Sequence, residues 1–106
     1  MNANSRRWTE TIRQGINESV VYTIDTHEWP GIVRNNIVIE VTRRKPFGGD
    51  LDITGAIIIG APTVNGTDIE FAVHNLVNGI THRVITRWTN ENAVTEECWG
   101  NIIGEP

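Results

Sequence analysis

The sequence is poor in the residues that several common functions require. It has one cysteine, Cys98, so no disulfide can form within the chain and no cluster of thiolates can hold zinc. Nine lysines and arginines stand against thirteen aspartates and glutamates, a net charge of −4, which argues against a nucleic-acid binder held by phosphate contacts. No apolar run approaches the roughly 18 residues of a membrane-spanning helix, and residues 1–7 lack the apolar core of a secretion signal. We therefore expect a protein made in a cytoplasm, with no membrane partner and no nucleic-acid partner.

The residues that are abundant favour one small domain built from strands. A chain of 106 residues, 39% of them hydrophobic and 21% charged, is the size of a single domain and can bury a core. Valine, isoleucine and threonine are frequent, whereas leucine is scarce and there is one methionine. Because β-branched residues pack well on a pleated sheet, this bias predicts an all-β fold.

Apolar residues alternate with polar ones from residue 19 onward, which is the period of a strand with one buried face. Turn signals separate the alternating segments, among them Asn65-Gly66 and Asn78-Gly79. The predicted strands are residues 19–25, 36–42, 56–60, 68–74, 80–89 and 93–103, and residues 43–50 are predicted as a loop. With no helical segment between them, residues 19–106 are predicted to form an antiparallel sandwich of about six or seven strands.

Residues 1–18 do not follow that pattern and are predicted to form an arm or a short helix. Their large apolar residues, Trp8, Ile12 and Ile16, stand four apart, which fits one stripe of a helix or three anchors of an extended segment. Trp8 has no evident place in the sandwich, so we predict that these three residues bind a neighbouring subunit.

Two further groups of residues are candidates for binding, each with a plainer alternative. Arg43-Arg44-Lys45 is the densest basic cluster; it fits an acidic partner surface, or a charged edge that prevents strand-on-strand aggregation. Trp29 and Trp99 fit a stacking surface for a sugar ring, or packing in and around the core.

We predict no catalytic residues, no metal site and no cofactor. Asp50 and Asp52 share one face of an extended segment but are far short of a calcium loop. The histidines and acidic residues show no metal-ligand spacing, and nothing near Cys98 in the sequence supplies the base that a nucleophile needs. The sequence therefore predicts a protein that is not an enzyme.

A resemblance narrows the fold. Residues 76–84, Leu-Val-Asn-Gly-Ile-Thr-His-Arg-Val, resemble the corner before the penultimate strand of immunoglobulin-like and fibronectin type III domains, where a tyrosine bonds back to the corner. His82 stands where tyrosine is usual, and an imidazole can also donate to a carbonyl. The resemblance implies an immunoglobulin/fibronectin-type-III-like sandwich.

A wider resemblance covers about residues 19–103. The run Val-Tyr-Thr-Ile-Asp at 21–25 followed by Trp29, then Asn65-Gly66-Thr67, and Thr-Arg-Trp-Thr-Asn-Glu-Asn at 86–92 resemble small virion proteins of tailed bacteriophages. This resemblance implies a non-enzymatic adaptor, neck or decoration protein that sits in the virion and binds other virion proteins and copies of itself. The alternative is a glycan-binding module for host recognition that uses Trp29 or Trp99.

Overall fold

The structure, a computed structural model, describes residues 5–8, 10–44 and 50–106, with only the backbone of residues 5–7, 44 and 50. These residues form nine strands and one single-turn helix. The strands are β1 Ser5–Arg7, β2 Ile12–Gly15, β3 Val20–Asp25, β4 Asn35–Arg44, β5 Asp50–Asp52, β6 Ile58–Asn65, β7 Asp68–Val73, β8 Thr81–Thr89 and β9 Thr95–Glu105, and the helix is α1 Thr54–Ile57.

Two sheets pack face to face. The larger has the order β1-β9-β8-β4-β5, with β2 also paired to β9, and the smaller has the order β3-β7-β6. Pairing is antiparallel except at β1 and β2, which both run parallel to β9. The core lies between the sheets and centres on Trp88, which is fully buried. The all-β sandwich predicted from the alternation is confirmed.

The alternation predicted β7, β8 and β9 well because most of their inward residues are apolar or small. In β8, His82, Val84, Thr86 and Trp88 are buried while their neighbours are partly or fully exposed. In β9 the inward positions include Cys98, Gly100 and Ile102. The two strands pair over their whole length, from Thr81 opposite Ile103 to Thr89 opposite Thr95.

The helix or arm predicted for residues 1–18 is wrong where that segment is described. β1 and β2 are strands of the larger sheet, so part of the segment belongs to the sandwich. Spacing of four suits a strand as well as a helix, because positions 12 and 16 fall on the same face of both. A strand with one buried face would show an apolar residue at position 14, and the polar Gln14 there did not indicate a strand.

Residues 53–65 also differ from the prediction. A strand covered on both faces was expected at 56–60, but α1 ends at Ile57, which is buried, and Ile59 is exposed on the edge strand β6. Pro62 lies within β6, where an edge position tolerates its missing N–H. Asn65 pairs with Asp68, so Gly66, with φ +64°, is the first residue of the two-residue hairpin loop.

Candidate protein-interaction surface

The three apolar residues of the N-terminal segment pack against the core of the chain itself. Trp8, Ile12 and Ile16 are each half-buried against it. The backbone N–H of Trp8 donates to the carbonyl of Trp99 at 2.6 Å, and the indole lies on Gly100, where an added Cβ would collide with it. Trp8 therefore has a place in the sandwich, contrary to the expectation from sequence; binding of a neighbour by these residues stays a prediction.

The outer face of the larger sheet presents a mixed apolar and charged surface. Two rows of paired residues cross it: Glu40 opposite Ile85 opposite Trp99, and Val38 opposite Arg87 opposite Glu97. These positions alternate with buried ones along β8 and β9, so their side chains point away from the core. We call these six residues, together with Arg83, the outer face.

The apolar part of the outer face is held in place by the chain itself. The guanidinium of Arg83 lies 4.4 Å from the ring centroid of Trp99, a cation–π contact. Ile85 is half-buried next to Trp99, and Val38 is 50% exposed. A tryptophan already fixed in one orientation loses little side-chain entropy on binding a partner.

The charged part of the outer face is a three-residue ladder. Arg87 donates from Nε to Glu97 at 2.7 Å and from Nη1 to Glu40 at 3.1 Å. The side-chain bond to Glu40 is the main cause that raises the pKa of Arg87. The ladder spans β4, β8 and β9, so it fixes three adjacent strands side by side and leaves spare carboxylate lone pairs toward solvent.

The predicted basic cluster is not a simple exposed patch. Arg43 and Arg44 belong to β4, where a loop was expected, and Arg43 is half-buried in register with His82. The side chain of Arg44 and all of Lys45 lie outside the described residues. Partner binding by these three residues stays a prediction.

Trp29 lies in a loop that a buried arginine organises. Arg34, 5% exposed, donates to the hydroxyl of Thr26 at 2.7 Å and to its carbonyl at 2.9 Å. Its guanidinium also sits 5.4 Å from the ring centroid of Trp88, against which Trp29 packs edge-on. Trp29 is thus half-buried against Trp88, and Arg83 lies over the ring of Trp99. Sugar binding by either ring stays a prediction.

His82 fills the corner position that the sequence assigned to it. It is fully buried; the backbone N–H of Val77 donates to its Nε2 at 3.1 Å, and its Nδ1 lies 3.1 Å from the carbonyl of Ile102. These partners place the hydrogen on Nδ1 and require a neutral ring. Burial is the main cause that lowers the pKa of His82, and the charge of Arg43 adds to it.

Sequence reasoning did not identify the buried polar residues Gln14 and Arg34, because nothing in their local pattern marks them.

The potentially reactive side chains among the described residues include Cys98 and the pair formed by Asp25 and His27. Burial raises the pKa of Cys98 to about 11, so its thiol stays protonated and is a poor nucleophile. Asp25 and His27 form an exposed pair at 2.8 Å, and a carboxylate oxygen of Glu28 lies 4.0 Å from the other ring nitrogen of His27. Among residues 5–8, 10–44 and 50–106 no three histidine, cysteine or acidic side chains are grouped to hold a metal ion. Nor is any helix there long and apolar enough to cross a membrane.

Comparison with known proteins identifies the fold. No protein-family model and no curated protein matches the sequence. The structure of murine CRIg superposes with a TM-score of 0.56 at 10% sequence identity, over 92% of this chain and 93% of that chain. The chain has an immunoglobulin-like fold. A likeness at this identity concerns the fold alone, so the function of an immunoglobulin-like domain has to be argued from its surface.

Proposed function

We propose that this immunoglobulin-like domain is a non-enzymatic assembly protein of a tailed-bacteriophage particle, made in the host cytoplasm, which joins neighbouring virion proteins to one another and to copies of itself. The observation that supports an assembly role is the outer face. Tryptophan and arginine are enriched among the few residues that dominate the binding energy of protein interfaces, and here Trp99 and Arg83 are already positioned by their mutual contact. The sequence resemblance to phage virion proteins suggests where such a domain works.

Mixed charge on the outer face suits specific docking more than unspecific adhesion. Arg87 is neutralised by two carboxylates, whereas Arg83 is matched by the π face of Trp99. A partner has to complement this pattern, since unmatched charges at an interface are penalised. The apolar residues Ile85 and Val38 would supply the area that is removed from water.

The test is incorporation into particles purified from infected host cells and quantified by mass spectrometry. We expect the wild-type chain in every preparation of particles, and at least tenfold less of the variant Ile85→Lys. Thr63→Lys is the matched control, because it adds the same charge to an exposed position on the smaller sheet, and we expect it to be incorporated normally. Absence of the wild-type chain from particles would refute the virion assignment, and normal incorporation of Ile85→Lys would refute the role of the outer face.

A further inference from the structure

An open groove separates the two sheets on the side away from β5. It has a volume of about 470 Å³ and lies between the N-terminal strands of the larger sheet and β3 of the smaller one. Its apolar lining is Trp8, Ile12, Tyr22, Ile24 and Trp29. The outer face described above contributes nothing to this groove.

The strand beside the groove has an unpaired edge. β3 is the last strand of the smaller sheet and pairs only with β7 among the described residues. The N–H of Thr26 donates to the carbonyl of Thr67. Because hydrogen-bonded residues alternate along an antiparallel strand pair, the backbone groups of residues 20, 22 and 24 also face β7. The backbone N–H and C=O groups of Val21, Thr23 and Asp25 therefore point to the open edge. Such an edge is a template for another strand.

Carboxylates surround this edge. Glu10, Asp25 and Glu28 line the groove and are exposed, and Asp68 is directly opposite Asp25 in the ladder. Like charges directly opposite each other destabilise a strand pair. Among the described residues, the exposed imidazole of His27 lies beside them, and its pKa is raised chiefly by its hydrogen bond to Asp25. A cation from outside the chain would relieve the remaining repulsion.

We propose that the open edge of β3 and the adjoining groove bind an extended segment of a partner protein that carries basic side chains. The segment adds a strand to the smaller sheet by pairing with Val21, Thr23 and Asp25. Every second side chain then enters the groove against Tyr22, Ile24 and Trp29, which favours aliphatic residues at those positions. Its lysines or arginines lie beside Asp25, Glu28 and Glu10. This mode of docking rests on the assembly role proposed above but uses a different surface.

The probe is the capped heptapeptide Lys-Val-Lys-Val-Lys-Val-Lys, titrated into the full-length protein by isothermal calorimetry. Its counterpart Glu-Val-Glu-Val-Glu-Val-Glu has the same pattern with opposite charge. We expect the basic peptide to bind at least tenfold more tightly than the acidic one, with an affinity that falls as salt rises. Equal binding of the two peptides, or no binding of either, would overturn the proposal.

Three variants distinguish strand pairing from general attraction between opposite charges. Thr23→Pro removes an edge-facing N–H but leaves the bonds to β7 intact, and we expect at least tenfold weaker binding; Thr23→Val keeps the N–H and should bind within twofold of wild type. The double change Asp25→Asn with Glu28→Gln should weaken binding about fivefold and flatten its salt dependence, and it tests the role of these carboxylates even if Thr23→Pro does not fold. Unchanged binding by a folded Thr23→Pro, or by the double variant, would refute the proposal.

A variant of the outer face separates this proposal from the previous one. Ile85→Lys should bind the basic peptide as wild type does, because Ile85 lies on the opposite side of the larger sheet from the core. If that variant binds normally yet enters particles normally too, the outer-face role fails while the β3 site stands. If the peptide does not bind and Ile85→Lys is excluded from particles, the β3 site fails while the outer-face role stands.

Discussion

Gln14 shows how one buried polar side chain can connect two sheets. It is 2% exposed, and its Nε2 donates to the carbonyl of Val73 at 3.0 Å and to that of Glu18 at 3.1 Å. Its Oε1 accepts from the hydroxyl of Tyr22 at 2.6 Å. Val73 and Tyr22 belong to the smaller sheet and Gln14 to the larger, so these bonds bridge the sandwich near one end of the groove. A buried amide with its hydrogen-bonding groups used in this way specifies one arrangement of the two sheets.

We predict that Gln14→Leu lowers the free energy of unfolding by about 2 kcal/mol, because three hydrogen bonds worth about 1 kcal/mol each are lost and only part is regained from water. Tyr22→Phe, which removes a single bond and keeps the ring, should lower it by about 1 kcal/mol. Urea unfolding followed by tryptophan fluorescence measures both values. If Gln14→Leu is as stable as wild type, the hydrogen bonds of Gln14 contribute nothing to the free energy of unfolding, and packing alone holds the sheets together.

At the scale of elements, the N-terminal strands are attached to β9 by shape as well as by backbone pairing. β1 pairs parallel with residues 97–99 of β9, and the Trp8 indole then lies over Gly100, the next residue of β9. No side chain other than hydrogen fits at position 100 while the indole is there. This segment, which was predicted to be an arm or a short helix, thus depends on the space left by a glycine nearly a hundred residues later in the chain.

This fit predicts a non-additive pair of substitutions. Gly100→Ala alone should lower the free energy of unfolding by about 1–3 kcal/mol, the usual cost of overpacking. In a Trp8→Ala background the collision is gone, so the same substitution should cost less than about 1 kcal/mol. The four proteins of this cycle are compared by urea unfolding. Costs that add within about 0.5 kcal/mol would show that Trp8 does not occupy the space above Gly100 in solution.

At the scale of the whole molecule, the parts of the fold that could be predicted from sequence are those that alternation alone determines. β7, β8 and β9 were predicted because most inward positions hold an apolar or small residue, and the buried His82 and Glu96 do not break the alternation. β1 and β2 were not, because Gln14 interrupts the apolar pattern and its burial depends on partners 59 residues away in Val73 and eight away in Tyr22. The outer face was missed for the same reason: Arg87 meets Glu40, 47 residues distant, only once the register of three strands is known.

Stability as a function of pH follows from the buried His82. Its folded-state pKa is lowered, mainly by burial, while the unfolded chain titrates near 6.5. The unfolded state therefore takes up a proton at a pH where the folded state does not, so stability is fully present above about pH 6.5 and is lost as pH falls below it. His27 affects stability in a different pH range. Because its pKa is raised in the folded state, its contribution to stability is present below about pH 6.5 and is lost as the pH rises above that value.

We accordingly predict that the free energy of unfolding falls as the pH drops below 6.5, with a slope of at most about 1.4 kcal/mol per pH unit for this one proton. His82→Gln supplies a comparable donor and acceptor without a titrating ring, so it should be less stable than wild type at pH 7.5 but lose that much less on acidification. Urea unfolding at half-unit pH intervals gives both curves. Parallel curves would mean that the loss of stability comes from carboxylates and that the corner tolerates a protonated ring. A protonated Nε2 would carry a hydrogen facing the N–H of Val77, which is why we expect the curves to differ.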